Sequence, residues 1–212
     1  MLVITIKQGK EKSLLERQPW IYASAVERVD GKPQEKMTAG ATALVHSSSG
    51  KFLARAAYNS KSQIRARVWS FDENEPVDHA LIKRRVKTAI AKRAGNTDQS
   101  APGNPVRLVL GEEDGLSGLL VDWFGGKNGY LVCQFQAAGV DAWKVPIVQT
   151  LIAETGCRNV YERSDELVRK GEGLPVMSGA LAGDEPPDAM PFTENGVRYT
   201  LDLKSGKKSS FK

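Results

Sequence analysis

Residues 107–126 have the sequence RLVLGEEDGLSGLLVDWFGG, in which two apolar segments flank an acidic turn. The apolar segments, 106–110 and 119–123, are short, rich in leucine and valine, and bounded by glycines, so they predict two neighbouring strands. Glycine supplies the positive φ that a tight turn needs, and Gly125 and Gly126 follow the second segment. This unit of strand, turn and strand predicts a β-sheet in the middle of the chain.

Three acids stand side by side in that turn: Glu112, Glu113 and Asp114. Adjacent carboxylates can serve acid–base catalysis or bind a metal ion, but no histidine lies nearby to complete such a site. Carboxylates also accept hydrogen bonds from the free amides of tight turns. We therefore expect a structural turn, and a catalytic role is the less favoured alternative.

The segments on both sides of this unit predict an α+β fold. Apolar residues recur at helical spacing before it, and strand-like and helix-like segments alternate after it. The predicted elements are a helix at 77–94, a polar loop at 96–105, a strand at 130–135, a helix at 141–154 with Asp141 as N-cap and Gly156 as C-cap, and a strand at 158–162.

The first 75 residues are rich in short strands bounded by Gly, Ser and Asn turns. Helical stretches are predicted only at 10–17 and 20–25. The predicted strands are 2–6, 26–29, 41–45, 51–58 and 63–71. Many short strands with very small helices predict a small closed barrel.

Two polar, proline-containing segments, 72–78 and 179–190, predict boundaries. The pair Asn195-Gly196 then joins 192–193 to 197–203 and is a strong hairpin signal. We expect an N-terminal barrel domain at 1–75, a central α+β domain at 76–185, and a linker with a β-hairpin at 186–212.

The bulk composition, 41% hydrophobic and 26% charged, is typical of a globular protein. The sequence has no apolar run long enough to cross a membrane and no secretory signal pattern at its start. Its two cysteines, Cys133 and Cys157, lack the spacing of a metal or redox motif, and Cys133 lies in an apolar strand. We expect a cytoplasmic protein with no metal site, and a core position for Cys133.

The net charge of +5 is unevenly distributed. Residues 1–75 carry 12 basic and 8 acidic side chains, whereas 76–190 carry 13 basic and 15 acidic ones. The last segment, 191–212, has a net charge of +3. A basic first domain is compatible with a polyanionic partner or with solubility alone, because the excess is modest.

The basic side chains of the first domain occur near aromatic ones, which is typical of an RNA-binding surface. Arg65 and Arg67 are two residues apart on a predicted strand, so both emerge on one face, which Trp69 continues. The alternative is a solvated face with Trp20 in the core. The candidate RNA-binding residues are Lys7, Lys10, Arg17, Trp20, Arg55, Arg65 and Arg67.

Two glycine-containing segments do not complete a nucleotide-binding motif. Gly171-Glu172-Gly173 is not followed by the third glycine of a dinucleotide loop, because Val176 occupies that place. Gly206-Lys207-Lys208 has no Ser or Thr after the first lysine and lacks the upstream glycine of a phosphate loop. Neither segment predicts a cofactor site.

Taken together, five segments resemble the bacterial ribosomal large-subunit methyltransferase I family. Members of that family are S-adenosylmethionine-dependent enzymes that methylate cytosine C5 in large-subunit ribosomal RNA. The segments occur in family order and are GKEKSLLERQPWIYASAV (9–26), FLARAAYNSKSQIRARVWSFD (52–72), RLVLGEEDGLSGLLVDWFGG (107–126), VYERSDELVRKGEG (160–173) and YTLDLKSGKKSSF (199–211).

The resemblance implies a PUA-like RNA-binding barrel, then a central α+β domain, then a hairpin leading to a Rossmann-like methyltransferase domain. It implies that the cofactor loop, the Asp-Pro-Pro motif and the catalytic cysteine lie beyond residue 212, so that no S-adenosylmethionine site is expected in this chain. Ser210 stands where the family has glycine. The implied partner is large-subunit ribosomal RNA rather than DNA or a membrane, and a homodimer is left open.

Three functions follow from these expectations. The first is the RNA-recognition part of a large-subunit (23S) ribosomal RNA (cytosine-C5) methyltransferase, not catalytic by itself. The second is a stand-alone PUA-type RNA-binding protein without enzymatic activity. In the third and weakest, the central domain mediates dimerisation or binds a small molecule, and the charge is incidental.

Overall fold

The computed structural model describes residues 1–94 and 105–210. The predicted loop at 96–105 lies outside these ranges apart from Pro105, and so does Phe211. The described residues form three β-sheets with short helices between their strands. This mixture of helices and sheets confirms the predicted α+β class.

The first sheet has six strands, in the order β2-β6-β5-β4-β1-β3. Strands β1 and β4 pair in parallel, and the other neighbours pair antiparallel. Within the described residues β3 does not pair back to β2, so the strand pairing does not close the predicted barrel. The elements are β1 (Leu2–Ile6), α1 (Lys12–Leu15), β2 (Trp20–Tyr22), β3 (Val26–Asp30), α2 (Pro33–Met37), β4 (Ala41–His46), β5 (Phe52–Tyr58) and β6 (Ile64–Ser70).

The helical stretch predicted at 20–25 is wrong for its first half. Trp20–Tyr22 is an edge strand, and only Ala23–Ala25 turns as a short 3₁₀ segment. Tryptophan, isoleucine and tyrosine all favour strands, and pairing with β6 supplies the hydrogen bonds that three isolated residues lack. Helix α2, which has Pro33 in its first turn, was not predicted from the sequence either.

The second sheet has five strands, in the order β11-β10-β9-β8-β7. Strands β9 and β10 are parallel and joined through two helices, whereas the remaining neighbours are antiparallel. The elements are α3 (His79–Ala94), β7 (Val106–Leu110), β8 (Leu119–Phe124), β9 (Tyr130–Phe135), α4 (Ala138–Ala142), α5 (Lys144–Thr155), β10 (Val160–Arg163), α6 (Glu166–Gly171) and β11 (Ser178–Ala182).

The helix predicted at 141–154 begins elsewhere, and Asp141 is not its N-cap. Asp141 lies in α4, and its carboxylate accepts a hydrogen bond from Arg169 at 2.8 Å and contacts Lys144 at 3.1 Å. The aspartate therefore pairs with these two cations instead of capping free amides. Gly156 does end α5 with a φ of 72°, as predicted. Helix α6 and strand β11 were not predicted.

The third sheet contains β12 (Met190–Glu194), β13 (Val197–Asp202) and β14 (Lys207–Ser210). Asn195 and Gly196 connect β12 to β13 with φ values of 51° and 78°, the left-handed geometry that this residue pair favours. Phe192, Leu201 and Leu203 pack with Phe124 and Val132 of the second sheet. The three domain ranges expected from the sequence stay predictions.

No helix in residues 1–94 and 105–210 has the length and apolar character needed to cross a membrane.

Candidate nucleic-acid interface

Strand β2 places two aromatic rings at the open edge of the first sheet. Trp20 is 37% exposed and Tyr22 is 52% exposed, while Ile21 between them is buried. The two rings meet edge to face with their centroids 6.4 Å apart. An exposed aromatic pair offers flat faces on which unpaired bases can stack.

Arg67 lies opposite Trp20 in the neighbouring strand β6. Its guanidinium carbon is 5.2 Å from the centroid of the Trp20 ring, within cation–π range. The same guanidinium donates to Ser117 at 3.1 Å and to Glu172 at 2.9 Å. With only 13% of its side chain exposed, Arg67 serves mainly to join the first sheet to the central residues.

Glu112 of the acidic turn is a shared acceptor at this junction. Its Oε1 accepts a hydrogen bond from Ser117 at 2.6 Å and one from the indole nitrogen of Trp20 at 3.0 Å. Burial alone would raise the pKa of Glu112. The net effect is a lowered pKa, because the carboxylate accepts hydrogen bonds from Ser117, its own backbone and Trp20 and lies near the charge of Arg67. The carboxylate is therefore held in its charged form.

Further contacts cover the face of β6 that carries Arg67. Glu172, 9% exposed, also accepts a hydrogen bond from Asn59 through its backbone oxygen at 2.8 Å. Trp69, which was expected to continue an exposed face, is buried and packs against Gly139 of α4. This face is thus an internal junction between the first sheet and the central residues.

The seven predicted RNA-binding residues fall into two groups. Lys7, Lys10, Arg17 and Trp20 are exposed, and the Arg17 guanidinium lies 5.0 Å from the Phe71 ring centroid. The three arginines on β5 and β6 instead donate hydrogen bonds to nearby protein groups. Arg55 donates to the backbone oxygen of Glu73 at 2.9 Å and Arg65 to the backbone oxygen of Ser62 at 3.1 Å, while Arg67 has the contacts described above. Trp20 lies at the surface, not in the core that the alternative interpretation gave it.

The other two acids of the turn, Glu113 and Asp114, differ in their surroundings. Gly111–Asp114 is a 3₁₀ turn, and the buried Asp114 carboxylate accepts bonds from Arg93 at 3.0 Å and from the Leu110 amide at 2.7 Å. Glu113 points to solvent. No group of three or more His, Cys, Asp or Glu side chains suited to a metal ion occurs in residues 1–94 or 105–210. The contacts agree with the structural interpretation of the turn.

Tyr22, Asn59 and Glu172 were not predicted from the sequence. The two-residue spacing of Trp20 and Tyr22 was a usable signal, because residues two apart on a strand share a face. Glu172 lies 105 residues from Arg67 along the chain, so no local pattern could have paired them.

The first comparison defines the class of the N-terminal part. Residues 4–71 match the PUA-like domain family. The match covers all six strands of the first sheet apart from Leu2 and Val3 of β1, and it includes β2 with its exposed aromatic pair. This part of the chain is therefore PUA-like, as the sequence predicted.

Relatives with assigned names extend the likeness to nearly the whole chain. The chain is 38% identical, over 98% of its length, to the ribosomal RNA large subunit methyltransferase I of Aliivibrio fischeri. It is also 38% identical, over 98% of its length, to the protein of the same name from Klebsiella pneumoniae. The chain spans about half the length of each of these relatives, 50% in both cases.

Two solved structures share the fold. One is a protein assigned as a methyltransferase and crystallised with SAH, with a TM-score of 0.75 at 17% identity over 98% of this chain and 49% of that one. The other is a protein of Streptococcus mutans assigned as a SAM-dependent methyltransferase, with a TM-score of 0.75 at 15% identity over 100% of this chain and 51% of that one. At these identities the likeness concerns the fold alone.

Proposed function

We propose that this chain is the RNA-recognition part of an S-adenosylmethionine-dependent 23S ribosomal RNA (cytosine-C5) methyltransferase. The names of relatives that are 38% identical over 98% of the chain support this assignment. So does the PUA-like match at 4–71. The proposal includes a cytoplasmic location and large-subunit ribosomal RNA as the partner.

One observation carries the proposal: Trp20 and Tyr22 form an exposed aromatic pair at the edge of the PUA-like domain. The same domain exposes three cationic side chains, those of Lys7, Lys10 and Arg17. Rings that stack on bases and cations that contact phosphates are the two components of single-strand recognition. We assign Arg55, Arg65 and Arg67 supporting roles, since each guanidinium already binds a protein acceptor.

The chain's own residues are poorly suited to the chemistry of cytosine methylation. Cytosine C5 becomes nucleophilic only after a thiolate adds to C6. Cys133 and Cys157 are both buried, and burial raises the pKa of each thiol above its usual range. Neither cysteine can present a thiolate to a base, so the proposal places catalysis outside these residues.

The glycine pair of Gly171-Glu172-Gly173 does not form a cofactor cradle either. Gly171 is the last residue of α6, so the segment ends a helix, whereas a nucleotide-type loop connects a strand to the start of a helix. The side chain of Lys61 would meet a Cβ at Gly173 at 2.6 Å, so this turn is packed against the first sheet.

Base stacking on Trp20 can be tested with two substitutions. Trp20→Ala is expected to weaken binding to a labelled single-stranded RNA by about 1–3 kcal/mol, the usual value of one stacked base. Trp20→Phe is the matched control, because it keeps a ring but loses the hydrogen bond to Glu112. Fluorescence anisotropy should show substantial retention of affinity in the Phe variant. Equal losses in both variants would contradict stacking.

A calorimetric titration of S-adenosylmethionine into this chain tests the non-catalytic assignment. No binding heat is expected. Saturable binding would contradict the proposal that the cofactor site lies outside these residues.

A further inference from the structure

Helix α3 carries the densest positive charge in the described chain. Its sixteen residues contain six basic side chains and no acidic one, although residues 76–190 as a whole are net acidic. The six are Lys83, Arg84, Arg85, Lys87, Lys92 and Arg93. The candidate RNA-binding residues predicted from the sequence include none of them.

The fold divides these cations between two sides of the helix. The apolar side, with Ile82, Val86, Ala89 and Ile90, is buried against the central core. The opposite side exposes what we name the α3 basic face, defined by Lys83, Arg84 and Lys87. Lys83 and Lys87 are one helical turn apart, so they lie about 6 Å from each other along the axis.

The stability of the helix does not account for the α3 basic face. Lys92 and Arg93 lie in the last turn, where cations complement the helix dipole, and both contact Asp114. Lys83 and Lys87, by contrast, are like charges at i and i+4, an arrangement that costs a helix about 0.2–0.5 kcal/mol. The proximity of the two lysines to each other therefore does not stabilise the helix.

The basic side chains of this face remain largely exposed to solvent, although two of them pair with carboxylates of the protein. Arg84 pairs with Glu75 at 3.1 Å and Lys87 with Glu154 at 3.5 Å, with 56% and 59% of the basic side chains exposed. Exposed pairs of this kind are weak and exchange readily for another anion. In the part of the chain that the structure describes, Lys83 makes no ion pair.

The helix also reaches the proposed RNA surface of the PUA-like domain. A cleft of about 590 Å³ separates the two, with Arg17 and Phe71 on the side of the first sheet and Arg85 and Gly115 on the other. Four acidic residues also line it, among them Glu112, which is already paired with Arg67, and Glu75. Arg85 pairs with Glu75 in this cleft, and Glu75 also pairs with Arg84 of the α3 basic face. An RNA strand that contacts Arg17 can therefore meet the α3 basic face at Arg84.

We propose that the α3 basic face is a second RNA-binding surface that contacts phosphates and extends the surface of the PUA-like domain. This inference rests on the proposed function and adds to it a named element outside residues 4–71. Phosphate contacts position an RNA without selecting its sequence, so the surface fixes register rather than specificity.

The test compares two double variants of equal charge change. Lys83→Ala/Lys87→Ala removes the two lysines of the α3 basic face. Lys127→Ala/Lys170→Ala is the control, because both lysines are exposed and lie on the turn Gly126–Asn128 and on α6. Binding to a labelled RNA hairpin with a single-stranded tail is measured by anisotropy across a salt series, and circular dichroism melts verify folding.

The expected loss follows from counterion release. Each lost phosphate contact lowers the slope of log K against log salt by about 0.7–0.9 and weakens binding roughly five-fold at 0.1 M salt. The α3 variant should therefore bind roughly 25-fold more weakly and with a shallower slope, while the control stays near the unmodified chain.

Three results would overturn the proposal. The first is equal affinity and slope in the two double variants. The second is an α3-dependent association with phosphatidylserine vesicles that exceeds RNA binding, since it would make the partner a membrane. The third is the absence of RNA binding by the unmodified chain, which would also contradict the proposed function. Equal affinity and slope in the two double variants, by contrast, would leave the proposed function intact if Trp20→Ala still weakens binding.

Discussion

At the scale of single residues, the acidic turn separates into three different carboxylates. Asp114 is buried and bonded to Arg93 and the Leu110 amide, Glu112 joins Trp20 and Ser117, and Glu113 faces solvent. The sequence predicted a structural turn from its glycines and the lack of histidine. It could not assign the three roles, because Arg93 lies 21 positions from Asp114 and Trp20 lies 92 positions from Glu112.

Asp114→Ala should destabilise the fold by about 2–4 kcal/mol, because it leaves Arg93 without its carboxylate in a partly buried position. Urea denaturation followed by tryptophan fluorescence measures the change. The matched control is Glu113→Ala, which removes one weak exposed contact at 3.7 Å and should change stability by less than about 0.5 kcal/mol. Similar effects of the two substitutions would contradict the structural role of Asp114.

The lowered pKa of Glu112 predicts a pH-dependent contribution to stability. Because the folded state lowers this pKa below its ordinary 4.5, the stabilisation is present above pH 4.5 and is lost as the pH falls through the folded value. The difference in unfolding midpoint between the unmodified chain and Glu112→Gln should be constant near neutrality and shrink below pH 4.5. The effect is small, since the side chain is 40% exposed. A difference that grows in acid would contradict the direction of the shift.

At the scale of elements, the sequence predicted those strands and helix ends that depend on neighbouring residues in the chain. Most strand positions of both large sheets followed from short apolar runs between turn residues, and Gly156 marked the end of α5. Edge strand β2 was mistaken for a helix because its partner β6 lies more than forty residues away in the chain. The start of α5 was misplaced because Asp141 bonds a distant arginine.

Helix α4 illustrates packing that no periodicity reveals. Gly139 lies where an added Cβ would meet the Ala57 Cβ at 2.7 Å and the Trp69 ring at 3.3 Å. Gly139→Ala should therefore destabilise the chain by about 1–3 kcal/mol despite the better helix propensity of alanine. Gly171→Ala in α6 is the control, because nothing lies within 4 Å of its added Cβ and stability should be unchanged or slightly increased. Thermal melts compare the two, and a stabilised Gly139 variant would contradict the close approach.

At the scale of the whole molecule, the junction between the PUA-like domain and the central residues decides how the candidate site is built. The sequence correctly placed Arg65 and Arg67 on one strand face, but it treated that face as open. The central residues cover it through Glu112, Ser117 and Glu172 and through the packing of Trp69. A face covered by residues far away in the sequence cannot be distinguished from an exposed one by alternation alone.

The pair Arg67–Glu172 supplies the sharpest test of this junction, since both side chains are largely buried. Removing one partner leaves the other charge buried and unpaired, so Arg67→Leu and Glu172→Leu should each cost about 3–5 kcal/mol. The double variant should cost clearly less than the sum, because it leaves no lone charge behind. Denaturant unfolding of all four chains gives the coupling energy. Additive losses would mean that the two residues do not hold the junction together, and Arg67 would then be available for RNA.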